Sequence, residues 1–164
     1  MLEVRQACAD DLAAVKQLLH DTWHATYDAT MGADAVNDIT SRWHSMENLN
    51  RQLDSPDGCF LVAENSDSAI VGHASAARMS DDIVSLDRLY VLPGLQGHGA
   101  GTALLSAVID WAGHGMTIEL EVESANEPAI DFYRKHGFSD DGREVQCGGD
   151  PAAGQAIVMK RHHS

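Results

Sequence analysis

Basic residues are scarce in this chain: eleven Lys and Arg stand against twenty-five Asp and Glu, a net charge of −14 with His neutral. A nucleic-acid binder needs a basic footprint to release phosphate counterions, so no nucleic-acid partner is expected. An acidic surface repels phosphates and attracts cations, which leaves two readings: charge for solubility, or a cationic substrate. Cysteine is also scarce. Cys8, Cys59 and Cys147 are odd in number, far apart and in no metal-ligand spacing, which excludes a disulfide framework and suits reduced thiols in a cytoplasm. No apolar run approaches the ~20 residues needed to span a bilayer. The start, Met1 to Leu12, lacks the basic residues and apolar stretch of a secretion signal. The expectation is a cytoplasmic protein with no membrane partner. Repeats, low-complexity tracts and Pro/Gly/Ser linkers are absent too. With 164 residues and domains usually holding roughly 100–200, a single domain over 1–164 is expected.

What is present is a mixed pattern. Leu2 to Arg5 reads as a short strand. Asp10 is the expected N-cap of a helix carrying Leu12, Val15, Leu19, Trp23 and Tyr27 at near-helical spacing. A second helical stretch runs from about Ala33 to Leu53, broken near Asn48. Ser55 to Gly58 is a turn signal, and three strands follow at Cys59 to Glu64, Ile70 to Arg78 and Ile83 to Leu92. Short polar breaks between them suit an antiparallel meander. Ala100, Ala103, Leu104, Ala107, Val108 and Trp111 form one face of a long helix that Gly113 and Gly115 end. Met116 to Val122 is a strand. Asn126 caps the next helix, Pro128 fits its first turn and Gly137 terminates it. The last strands are expected near Ser139 to Cys147 and Gln155 to Lys160.

The strongest chemical signal is the hexapeptide from Gln96 to Gly101, with Gly97 and Gly99 inside it, between a strand and an amphipathic helix. Three glycines let the backbone approach a ligand closely, and the unpaired N–H groups of a helix start favour an anion. A phosphate or pyrophosphate site is predicted, the alternative being a glycine-rich turn with no ligand. A P-loop needs Gly-Lys-Ser/Thr, and the loop holds no lysine. A dinucleotide fingerprint reads G-x-G-x-x-G, whereas Gly97 and Gly99 are followed by Thr102. The loop also follows a meander, not the first strand of a βαβ unit. Both nucleotide readings fail.

At these residues the chain resembles the GNAT N-acetyltransferases. That family's loop has the form Q/R-x-x-G-x-G/A, and Gln96, Gly99 and Gly101 match it. Leu86 to Pro93 is similar to its fourth strand. Leu120 to Phe138 is similar to its second motif, with Asn126, Ala129, Tyr133, Gly137 and Phe138 in place. The likeness is close from about Ile83 to Phe138 and topological elsewhere. It implies an α/β (α+β) fold: a central mixed, mostly antiparallel sheet of about seven strands, flanked by about four helices, with strands four and five splayed. It also implies acetyl-CoA as cosubstrate and an amine as acceptor. The pantetheine arm would pair with backbone groups of Leu89, Tyr90 and Val91. Gln96 belongs to the same site, and the pyrophosphate would rest on N–H groups of Gly97, His98, Gly99, Ala100, Gly101 and Thr102. Asn126 would contact the pantetheine through its amide, a role compatible with capping its helix.

The implied reaction needs a neutral amine, a stabilised oxyanion and a proton for the leaving thiolate. Backbone N–H groups near Leu89 to Val91 would polarise the thioester carbonyl. Tyr133 occupies the family's general-acid position, and a phenol with an ordinary pKa of about 10 stays protonated at neutral pH. A packed helix aromatic is the competing reading for Tyr133, with Phe132 the better core candidate. An alkylamine also has a pKa of roughly 10, so a base must take its proton directly or through water. Asp87, Glu121 and His98 are the candidates by location, and each also reads as a solvated or structural group. His20 and His24 share a helix face, but no third ligand at fitting spacing accompanies them, so no metal is expected. Trp23, His24 and Tyr27 fall in the region that borders the family's acceptor pocket.

The layout from Trp23 and Tyr27 through Leu86–Val91 to Ala156–Lys160 resembles the bacterial polyamine acetyltransferase branch. With the charge of −14, it implies a polyamine or similar small cationic amine as acceptor. The alternatives are a protein or peptide N-acetyltransferase and a non-catalytic acyl-CoA-binding module. A homodimer is among the expected assemblies.

Overall fold

Period-two alternation of apolar residues marks the strands over Ile83–Val91 and Met116–Glu123, those over Gly58–Glu64 and Ile70–Arg78 are continuously buried, and 3.6-residue periodicity marks the helices. The computed structural model describes residues 1–149 and 154–164. The elements are β1 (Glu3–Gln6), α1 (Leu12–Met31), α2 (Ala33–Trp43), α3 (Met46–Leu53), β2 (Gly58–Glu64), β3 (Ile70–Arg78), β4 (Ile83–Val91), α4 (Ala100–Ala112), β5 (Met116–Glu123), α5 (Glu127–Lys135), β6 (Ser139–Gln146) and β7 (Gln155–His163). Hydrogen-bonded strands follow the order β1-β2-β3-β4-β5-β7-β6. Among the described residues this is the expected mixed, mostly antiparallel sheet of seven strands, with five α-helices against the four or so expected. The β4–β5 pair is parallel, in the register Ile83–Thr117, Val84–Ile118 and Ser85–Glu119. Both strands run on past that register, β4 to Val91 and β5 to Glu123.

Two compact units are distinguished, each discontinuous in sequence. The first comprises Met1–Ala76 with Arg88–Trp111, the second Ala77–Asp87 with Ala112–Ser164. In the first, one core cluster joins Leu12, Val15 and Leu19 of α1 to Leu49 of α3 and Phe60 and Val62 of β2. Each such side chain, when fully buried, contributes about 1.5–3 kcal/mol. Arg5 of β1 donates to Asp11 at 2.8 and 3.0 Å and to Glu64 at 2.8 Å. In the second unit, Met116, Ile118, Leu120 and Val122 of β5 are buried with Ile130, Phe138, Val158 and Met159.

Local chemistry corrects several boundaries. Asp10 does not cap α1. A short 3₁₀ turn over Ala9–Asp11 precedes the helix, and Asp11 holds the N-cap position without a side-chain cap bond. Its carboxylate is committed elsewhere, to Arg5 and to the N–H of Cys8 at 2.8 Å. The break in the second helical stretch falls at His44–Ser45, not Asn48. There Ser45 caps α3 by accepting from the N–H of Asn48 at 3.2 Å. β7 continues to His163, three residues beyond the expected Lys160. No described helix is long and apolar enough to cross a membrane.

The first unit also buries charge and imidazole that periodicity does not reveal. His44, His73 and Arg88 are 3 %, 0 % and 8 % exposed. The Arg88 guanidinium donates to Gln52 Oε1 and, at 3.4 Å, to the carbonyl of Trp43. His73 Nδ1 bonds the carbonyl of Leu61 at 2.8 Å. Burial, and then the charge of Arg88, pushes both histidines down from 6.5 to about 3. Their folded pKa values lie below the unfolded one, so between about 3 and 6.5 the unfolded chain binds more protons. Stability is therefore full above 6.5 and falls as the pH drops through this window, by up to about 1.4 kcal/mol per pH unit for each histidine. Urea denaturation at steps from about pH 7.5 to 5, above the range of ordinary carboxylates, should show that fall. His44→Gln and His73→Gln should each flatten it.

Candidate functional site

Strand β4 ends at Val91, and the chain needs eight more residues before α4 begins at Ala100. The start of this connection is fixed by three bonds. Leu92 donates its N–H to the carbonyl of Val71 at 2.9 Å, Leu95 to that of Leu92 at 3.1 Å, and Gln96 Nε2 to that of Val91 at 3.2 Å. Gln96 thus folds back on β4 and braces the loop. Gly97 and Gly99 have φ of +85° and +90°, a region that costs other residues roughly 1–2 kcal/mol. A Cβ on either would meet nothing within 4 Å. The glycines therefore leave open space above the backbone. At the far end Ala103 donates to the carbonyl of Gly99 at 2.9 Å, which starts the helix. The N–H groups of Ala100 and Gly101 belong to the first turn, where no carbonyl four residues earlier is in helical position. His98 and Thr102 are exposed on either side. Open space, donors without an intrahelical partner and the positive end of a helix dipole together fit a pyrophosphate.

Leu89 and Tyr90 on β4 are half-buried and Val91 is buried. The Tyr90 hydroxyl accepts from the Trp23 indole N–H at 3.2 Å. Trp23 is itself enclosed by Tyr27 at 4.7 Å, Trp43 at 5.4 Å and His44 at 5.9 Å between ring centroids. Tyr27 and Trp43 keep part of their surface in solvent. His24, expected on the exposed face it shares with His20, bridges two helices: Nδ1 bonds Asp28 at 2.6 Å and Nε2 faces Asn37 Oδ1 at 2.8 Å.

The other singled-out residues lie in the second unit. Asn126 Oδ1 accepts from the N–H of Ala129 at 3.3 Å and so caps α5, leaving its Nδ2 to donate elsewhere. Tyr133 is half-buried, its ring 5.4 Å from Phe132 and 5.6 Å from Phe138. Phe132 is half-buried too. The aromatic that enters the core is Phe138, at 3 % exposure, alongside Ile130 of the helix. Helix α5 is short, and its apolar stripe is too narrow to bury both aromatics.

The outward face of β5 carries Glu119, Glu121 and Glu123 in alternation. Glu119 is neutralised by Arg143 at 3.0 Å and Lys160 at 3.5 Å, a cluster completed by Asp141, whose carboxyl Arg143 holds below the ordinary range. Glu123 accepts from the N–H of Ala125 at 3.1 Å. Glu121 is exposed and accepts from the N–H of Gly148 at 3.1 Å. Asp87, also exposed, accepts from Ser85 Oγ at 2.7 Å. Both carboxylates thus reach solvent.

Known proteins resemble this chain in sequence and in fold. The model of the "Acetyltransferase (GNAT) family" matches residues 13–138. An uncharacterized N-acetyltransferase of Mycobacterium tuberculosis is 32 % identical over 138 residues, covering 82 % of this chain and 85 % of that one. The N-alpha-acetyltransferase RimI of the same organism is 33 % identical over 93 residues, 55 % of this chain and 58 % of RimI. In fold, the PaiA N-acetyltransferase of Thermoplasma acidophilum, crystallised with coenzyme A, superposes with a TM-score of 0.84 over 99 % of both chains at 21 % identity. The chain belongs to the GNAT family of acetyltransferases.

Proposed function

We propose that this chain transfers the acetyl group of acetyl-CoA to the primary amine of a small cationic molecule, with polyamines as the substrate class. The observation that carries the cofactor half of this reading is the loop from Gln96 to Thr102, open above Gly97 and Gly99 and ending on the first turn of α4. Acetyl-CoA supplies an acetyl group activated as a thioester. In this reading the N–H groups of Gly97, His98, Gly99, Ala100, Gly101 and Thr102 take the pyrophosphate, and Gln96 braces them. Backbone groups of Leu89, Tyr90 and Val91 hold the pantetheine and polarise the thioester carbonyl, with Asn126 Nδ2 as a further donor.

Tyr133 gives its phenolic proton to the departing thiolate, and Asp87 or Glu121 accepts the proton of the amine, directly or through water. Two observations support a cationic acceptor. The chain's charge is −14, which concentrates cations near its surface. The half-exposed rings of Tyr27 and Trp43 offer π faces that attract ammonium groups. The likeness to RimI favours a second reading, in which the acceptor is the N-terminus of a peptide.

Three outcomes test this. In a thiol-release assay with acetyl-CoA, spermidine and spermine should be turned over faster than amino acids, aminoglycosides or short peptides. Turnover of peptides alone establishes the second reading. Gly99→Val places a β-branched residue where φ is +90° and fills the open space, so the KM for acetyl-CoA should rise roughly tenfold or more. Tyr133→Phe keeps the ring against Phe132 and Phe138 and removes only the hydroxyl that carries the proton. It should lower kcat about 10²–10⁴-fold with little change in Tm; an unchanged kcat removes Tyr133 from the chemistry.

A further inference from the structure

Gly72 sits inside β3, in the first unit, and its backbone does not require glycine, since it is not among the positive-φ glycines. Glycine in a strand interior weakens the strand and marks a close approach of something else. Here the approach is explicit. A Cβ on Gly72 would stand 2.8 Å from Leu104 Cδ1, 3.3 Å from the carbonyl oxygen of Tyr90 and 3.4 Å from Ala63 Cβ. The first of these is closer than carbon atoms can stand.

Of the two nearest neighbours, one belongs to a segment read above as holding coenzyme A and the other lies two residues beyond the end of the second such segment, Gln96–Thr102. Tyr90 is on the part of β4 assigned to the pantetheine. Leu104 is the first large side chain of α4, one turn after Ala100 and on the same buried face as Ala100 and Val108. Leu104 is 0 % exposed, and a close-packed interior offers it no alternative position at low cost. A methyl at Gly72 therefore presses on the Leu104 side chain and, through its buried packing, on the start of α4 that carries the N–H groups of Ala100 and Gly101. Hydrogen bonds to an anion weaken with shifts of a few tenths of an ångström.

We infer that Gly72 is a positioning residue for coenzyme A: the notch it leaves in β3 sets how deeply the first turn of α4 seats beside the end of β4. The inference rests on the reading that the Gln96–Thr102 loop carries the pyrophosphate. Calorimetric titration of coenzyme A into the full chain tests it, with acetyl-CoA kinetics alongside. Gly72→Ala should raise the dissociation constant of coenzyme A and the KM for acetyl-CoA roughly tenfold, as for the loss of a charge-assisted hydrogen bond, while kcat at saturation and the acceptor KM stay near wild type. Adding Leu104→Val removes about the volume that Ala adds, and the double variant should return to within about twofold of wild type.

Wild-type affinity in Gly72→Ala overturns the inference. So does a deficit that Leu104→Val does not repair, or an unfolded Gly72→Ala that it does not rescue, because the notch then serves the core and not the seat of α4. Gly99→Val in the same titration separates the two ideas. If it binds coenzyme A as tightly as wild type, the loop reading fails, and this inference fails with it.

Discussion

A helix that starts at the end of a strand leaves its first N–H groups without intrahelical partners, and those donors must face water, a cap or a ligand. In this chain those donors stand at the end of the glycine loop, where α4 begins at Ala100. Gln96, the polar residue best placed to cap, turns the other way and bonds the carbonyl of Val91. The loop is thereby held open, and the glycines at 97 and 99 keep the space above it empty. Everything assigned to the cofactor depends on this arrangement, because a loop that collapsed onto the helix start would satisfy the same donors internally.

The rest of the first unit serves to hold α4 and β4 at a fixed spacing. Leu104 packs down on Gly72, and Trp23 pins Tyr90 from the other helix layer through its indole N–H. The price of that layer is a buried polar group. Arg88 and two neutral histidines sit where hydrophobic side chains would cost less. In the second unit the charge is handled at the surface. Arg143 and Lys160 neutralise Glu119 and Asp141, which leaves Glu121 as the exposed carboxylate of the same strand face.

Much of this was legible in the sequence, and the gaps have physical causes. The loop was legible because glycine spacing, a preceding strand and a following amphipathic helix agree with one another. The Asn126 cap was legible because a capping Asn followed by Pro128 has few other uses. The start of α1 was not, since the carboxylate that would cap it is drawn away by Arg5, fifty-nine residues from the other acid it binds, Glu64. The α2–α3 break was misplaced because an Asn resembles a helix breaker, while Ser45, three residues earlier in the chain, is the actual cap. Arg88 and His73 were missed because a polar residue is ordinarily read as exposed. For Arg88 parity was the available signal, since Val84, Leu86 and Arg88 alternate as buried positions along β4, whereas β3 is buried at consecutive positions around His73. Gly72 carried no signal beyond being a glycine in a strand, since its reason is a contact with a residue thirty-two positions away.

The central claim, that the start of α4 is an acetyl-CoA pyrophosphate site, is met most directly by two-dimensional amide NMR of the full chain titrated with coenzyme A. The account predicts the largest shifts at the backbone amides of Gly97 to Thr102, with smaller ones at Leu89 to Val91. Saturable binding that leaves the amides of Gly97 to Thr102 unmoved would contradict it.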